Sequence, residues 1–159
     1  MLSLSISFSQ SVTKITGTAD ILSVKQQVAL SLKYLDIHEP VYMHIAFTEQ
    51  MPEIIRGLTQ YISVSDSTRL FRIRIDARLD ETQRLNVLAH EMVHVRQYLS
   101  GDLKIIAGKI VWKGDTYPYI HRNPRDLPWE REAYRYDQYL AKVLKDMPGR
   151  RLLASDTEK

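Results

Sequence analysis

Cysteine is missing from all 159 residues, so no disulfide framework or thiolate metal site can exist, and any bound metal must rest on histidine and carboxylate. Long apolar runs are missing too. No stretch approaches the roughly 20 residues that span a bilayer, and Met1 to Phe8 lacks the basic segment and unbroken apolar core of a secretory signal. The expectation is a cytoplasmic protein with no membrane partner. Charge of one sign is not concentrated either: the net charge of +3 comes from Lys and Arg interleaved with acids, which argues against a nucleic-acid partner. Repeats and low-complexity tracts are absent. What remains is an ordinary globular composition, 44% hydrophobic and 26% charged, at the length of one domain. The reading is a single domain over 1–148 with a polar, flexible tail over 149–159.

Against this plain background stands Leu88-Ala89-His90-Glu91-Met92-Val93-His94-Val95. Two histidines four residues apart lie on one helical face about a turn apart, so both imidazoles can close on one ion. Zinc accepts imidazole nitrogen at about 2.0–2.1 Å, and its catalytic sites keep one position for water. Glu91, beside that position, has the chemistry of a general base and then acid. The context is helical. Asp80 and Gln83 have capping-box spacing, Leu85, Leu88, Met92, Val95 and Leu99 repeat at helical intervals, and Gly101 stops the run. A helix over 81–99 follows, with the ligands beside its apolar stripe.

Elsewhere, Leu2, Leu4, Ile6 and Phe8 alternate with serines and predict a strand over 2–8. Asp20 begins a helix to about 36, carrying Ile21, Val24, Val28, Leu32 and Leu35 on one face. Strands are predicted over 41–47, 61–64 and 71–76, and a hairpin or irregular strand pair over 103–117. Alternating Phe71 to Asp76 suits an edge strand to which a peptide could add, flanked by Arg72 and Arg74, although such arginines also discourage aggregation. A last helix begins near Trp129, with Pro128 at its first turn, and ends before Met147-Pro148-Gly149. The fold class is α+β: a small antiparallel or mixed sheet packed by helices 20–36 and 81–99, with a helix over about 129–146 completing the metal site.

Two imidazoles need a third ligand. The extended pattern with a third histidine fails, because position 97 is Gln and 100 is Ser. Glu130 and Glu132 both stand at the start of the last helix, and His121 precedes them. Here His90-Glu91-x-x-His94 followed by Glu130-x-x-Ala133 resembles the gluzincin metallopeptidases, above all the compact minigluzincins and small bacterial and phage proteins of that type. The resemblance covers about 81–144. It implies a Zn2+ ion on His90, His94 and Glu130, with Glu91 catalytic, Glu132 at the surface or behind the ligands, and a peptide or protein as substrate. In many gluzincins an acid four residues after the ligand Glu orients a zinc-bound histidine; this chain has Tyr134 there, and Asp137, nearly one turn further, is the candidate for a carboxylate that fixes the tautomer of a ligand histidine. A donor for the developing oxyanion is also expected, with Tyr117, Tyr119, His121 and Tyr134 as candidates. His38 and His44 read as loop and strand residues.

Three other readings compete. In a binding or regulatory module with structural zinc, Glu91 would have no water to activate. A protease acting on DNA-bound protein, as in the SprT-like group, usually has a histidine as third ligand. A cell-wall amidase would need export or a separate lysis system.

Overall fold

The computed structural model describes residues 11–65, 68–118 and 123–145. The predicted strand over 2–8 and the 149–159 tail lie outside them. In chain order the elements are β1 (Val12–Thr16), α1 (Ile21–Tyr34), β2 (Tyr42–Thr48), β3 (Gly57–Ser65), β4 (Thr68–Asp76), α2 (Glu81–Leu99), β5 (Leu103–Ile106), β6 (Lys109–Trp112), β7 (Asp115–Tyr117) and α3 (Pro128–Lys145). The fold is α+β, with three helices, one mixed sheet and one small antiparallel sheet.

The four-stranded sheet has the order β1-β2-β4-β3. β1 runs parallel to β2, and β2 to β4; such neighbours need a crossover, which α1 provides between the first two. β3 pairs antiparallel with β4. On the covered face Met43, Ile45, Phe47, Phe71, Ile73 and Ile75 bury against Val24 and Val28 of α1 and Leu85, Leu88 and Met92 of α2. The alternate positions face outward, where Lys14, Tyr42 and Arg72 are exposed and His44, Ala46 and Arg74 half-buried.

β4 corrects one expectation. Phe71 to Asp76 is an interior strand, hydrogen-bonded on both sides, and so cannot receive an added peptide strand. Its alternation records one wet sheet face, which an interior strand of a half-covered sheet also shows. β3 occupies the edge instead, and it starts at Gly57, four residues before the predicted 61–64 strand. The 103–117 segment is a three-stranded antiparallel meander, β5-β6-β7, not a hairpin alone. It stands on a second cluster of Leu103, Trp112 and Trp129 that ties it to α3.

α2 has the predicted bounds because both halves of its capping box form. Gln83 N donates to Asp80 Oδ1 at 2.8 Å, and Asp80 N donates to Gln83 Oε1 at 3.3 Å. At the other end Gly101 takes φ +76°, the left-handed turn glycine adopts freely, and donates to Tyr98 O. Its buried surface exceeds the predicted stripe, for Ala89, Glu91, Val93, His94 and Gln97 are buried as well, with β3 and α3 flanking the sides the sheet leaves open. No helix among the described residues is long and apolar enough to cross a membrane.

Candidate metal centre

Glu130, Tyr134 and Asp137 fall at i, i+4 and i+7 of α3 and therefore share one face. α3 packs along α2 and brings that face to the histidines. Ligand atoms of His90, His94 and Glu130 lie within 4.8 Å of one another. His90 Nε2 is 3.1 Å from Glu130 Oε2, and His94 Nε2 is 3.5 Å from Glu130 Oε1. Tetrahedral zinc with ligands at about 2.0–2.1 Å requires edges of about 3.3 Å, which the two imidazole-to-carboxylate separations bracket, so this donor set suits that ion.

Each imidazole is held from behind at Nδ1, which leaves Nε2 directed to the common point. His90 Nδ1 donates to Asp137 Oδ2 at 3.1 Å, the acid that the resemblance placed a turn too early. His94 Nδ1 donates to Gln97 Oε1 at 2.8 Å. The amide of Gln97 cannot turn over, because its Nε2 donates to Trp129 O at 3.0 Å and to Glu132 Oε2 at 2.8 Å. Such outer contacts fix tautomer and ring orientation. Glu132 is thereby removed from the ligand candidates: its carboxylate is engaged by Gln97, by Arg96 at 2.7 Å and by Lys113 at 3.8 Å. His121 and Tyr119 lie outside the described residues. Tyr117 packs edge-on against Trp129, with ring centroids 5.3 Å apart, and is not part of the cleft wall. His38 pairs with Asp36 and His44 with Thr16, both away from the centre.

Glu91 is 4% exposed, and its Oε2 accepts from Thr59 Oγ1 at 2.7 Å. β3 supplies that hydroxyl. The close approach depends on Gly57, where a Cβ would stand 2.6 Å from Val87 Cγ1 and 2.9 Å from Glu91 Cδ. Neither Thr59 nor Gly57 was singled out from the sequence, since both lie more than 30 residues from Glu91 and only sheet registration brings them together.

Burial opposes charge on His90, yet hydrogen bonds to Asp137 and Glu130 and the field of Glu91 outweigh it and lift its pKa to about 10. His94 is raised in the same way, against burial, by its contact with Glu130 and the nearby Glu91. Burial would raise Glu130, but the two imidazoles hold it down at about 2. Glu91 is pushed above the usual carboxylate range by burial, against the pull of His94 and His90 and the Thr59 hydrogen bond. The cluster thus concentrates negative potential on two imidazoles, which suits a cation that replaces protons.

The centre opens into a cleft of about 680 Å³. The cleft is lined by α2, by residues 54–59, and by residues of β5, β6, the 124–125 segment and α3. Tyr134 lines it with its ring 4.8 Å from that of His90, and Arg125 lies over the Tyr134 ring at 5.7 Å. Comparison of the chain with protein-family models, curated proteins and solved structures finds no match.

Proposed function

We propose that this chain is a zinc-dependent metallopeptidase of gluzincin type, hydrolysing peptide bonds in the cleft above α2. The observation that carries the reading is the convergence of His90 Nε2, His94 Nε2 and a Glu130 oxygen beside a buried, hydrogen-bonded Glu91 that opens to a cleft. His90, His94 and Glu130 would hold a zinc ion, which when bound would supply a Lewis acid for the scissile carbonyl and lower the pKa of water at the site.

The chain's own groups do the rest. Thr59 occupies Oε2 of Glu91, leaving Oε1 to take the proton as the water oxygen bonds to the carbonyl carbon. Burial raises the basicity of that carboxylate, and the same atom returns the proton to the amine nitrogen as the C–N bond breaks. Tyr134 presents a hydroxyl on the cleft wall as a donor to the carbonyl oxygen, where charge develops. β3 runs along the cleft as a sheet edge whose main chain can pair with an extended substrate. A structural zinc module would have no use for a buried carboxylate at an open cleft.

The test is metal content, measured on the native chain, Glu130→Ala, Glu132→Ala and Glu91→Gln, with turnover of a peptide library. About one zinc per chain is expected, lost in Glu130→Ala and kept in Glu132→Ala. Glu91→Gln should keep zinc and lose turnover. Cleavage retained in that last variant would remove the mechanism, and a native chain that takes up no zinc would remove the reading.

A further inference from the structure

The three carboxylates that line the cleft are all engaged: Glu91 with Thr59, Glu130 with both histidines, and Asp137 with His90. Two cations that line it have no carboxylate partner among the described residues, although Arg125 also contacts the Tyr134 phenol. Arg56 and Arg125 are both exposed, both line the cleft, and among the described residues neither has a carboxylate within ion-pair distance. The nearby Asp76, which feels the charge of Arg56, is already paired with Arg78 at 2.8 Å.

Both guanidiniums stand on fixed backbone close to the metal centre. Arg56 O accepts from Asp76 N at 2.9 Å, and the next residue is Gly57, which packs on Glu91. Arg125 lies in a 3-10 turn (Pro124–Asp126) whose Asn123 cap accepts from Arg125 N, and it covers the ring of Tyr134, which itself packs on His90. Apolar side chains that line the same cleft, such as Leu58, Ile105 and Ile110, keep its dielectric low and focus the field of the two cations.

We infer that the cleft receives an anionic polypeptide segment, with Arg56 and Arg125 as its specificity-determining cations. This rests on the peptidase reading above and adds the substrate class. A segment carrying Asp or Glu beside the scissile bond meets the guanidiniums of Arg56 and Arg125, whereas a Lys- or Arg-rich segment meets like charge and finds no free carboxylate.

The experiment takes a neutral core peptide cleaved by the zinc-loaded native protein and flanks it with Glu, Gln or Lys. In parallel, binding of the same peptides to zinc-loaded Glu91→Gln is followed by fluorescence anisotropy. The acidic version should exceed the basic one by about tenfold in kcat/KM and in affinity at low salt, and most of the difference should vanish at high salt. Arg56→Gln and Arg125→Gln should each reduce that preference about threefold through KM, Arg125→Lys should restore it, and Arg72→Gln, with the same charge removed from the opposite sheet face, should leave it intact. Equal or better handling of the basic peptide overturns the inference and leaves the peptidase reading standing, and so does an equal loss in Arg72→Gln. Binding of acidic peptides with no core cleaved overturns the peptidase reading and keeps the anionic preference. Neither binding nor cleavage overturns both.

Discussion

Gln97 accepts the Nδ1 proton of His94 at 2.8 Å with an amide whose other end is fixed by Glu132 and the Trp129 carbonyl. The two histidines are thus backed differently, His90 by a carboxylate and His94 by a neutral amide locked in orientation. Replacing Gln97 by Leu removes the acceptor and leaves His94 free to choose either tautomer. Zinc affinity should fall about 10–100-fold. Glu132→Gln should act more weakly in the same direction, since Gln97 keeps Trp129 as a partner. Competition with a chelator of known affinity measures both, and unchanged affinity in Gln97→Leu would falsify the positioning role.

The metal-free chain should have its own pH optimum of stability. His90 is raised from 6.5 to about 10 by Asp137 and Glu130 against burial, so its contribution is complete below about 6.5 and lost as pH rises through about 10. Glu130 is lowered from 4.5 to about 2 by the imidazoles against burial, so its contribution is complete above about 4.5 and lost as pH falls through about 2. Chelated protein should therefore melt highest between about pH 4.5 and 6.5 and lose stability towards pH 10. Saturating zinc competes with the same protons, so its increment in Tm should grow over that alkaline range. Thermal melts with chelator and with zinc at pH 6, 8 and 10 test this. A chelated melting curve that stays level to pH 10 in the native chain, and is not altered in Asp137→Asn, would contradict the ion-pair arrangement around His90.

Much of this was legible where the signal is local. The bounds of α2 follow from Asp80, Gln83, the apolar repeat and Gly101, all within one segment. His90, Glu91 and His94 stand out by spacing, whereas the helix start offered both Glu130 and Glu132, and only the resemblance to the gluzincins favoured Glu130. Phe71 to Asp76 was misplaced because alternation reports which face is wet and carries no information on which strand is the edge. Gln97 was noticed only as the absence of a histidine; its role depends on α3 crossing to present Trp129 and Glu132. Thr59 and Gly57 depend on β3 being the edge strand next to α2, a topological fact with no local signature.

Gly57 illustrates how narrow that approach is. An alanine methyl there would overlap the Glu91 carboxylate and stand 2.6 Å from Val87 Cγ1, so both side chains would have to shift towards the cleft they line. Gly57→Ala should displace Glu91 from Thr59 and lower kcat at least tenfold, with a stability cost of about 1–3 kcal/mol from overpacking. Zinc content should stay near the native value, because His90, His94 and Glu130 do not contact Gly57. Metal analysis alongside steady-state kinetics and a denaturant melt separates these effects. Native kcat in a folded, zinc-loaded Gly57→Ala would show that the placement of Glu91 against β3 has no bearing on turnover.

Tyr134 supplies the last test. It sits one turn beyond Glu130 on α3, lines the cleft, and packs its ring 4.8 Å from that of His90. Burial raises its pKa, so the hydroxyl keeps its proton at neutral pH and serves as a neutral donor. Tyr134→Phe retains the ring against His90 and deletes only the donor. Zinc binding should be unchanged, KM should change little, and kcat should fall about 100-fold, the usual loss for one oxyanion donor. A phenol that merely packed would instead leave kcat intact and alter stability or zinc affinity when truncated to Tyr134→Ala. The comparison of kcat in Tyr134→Phe with zinc affinity in Tyr134→Ala therefore assigns the side chain to the chemistry or to the support of His90.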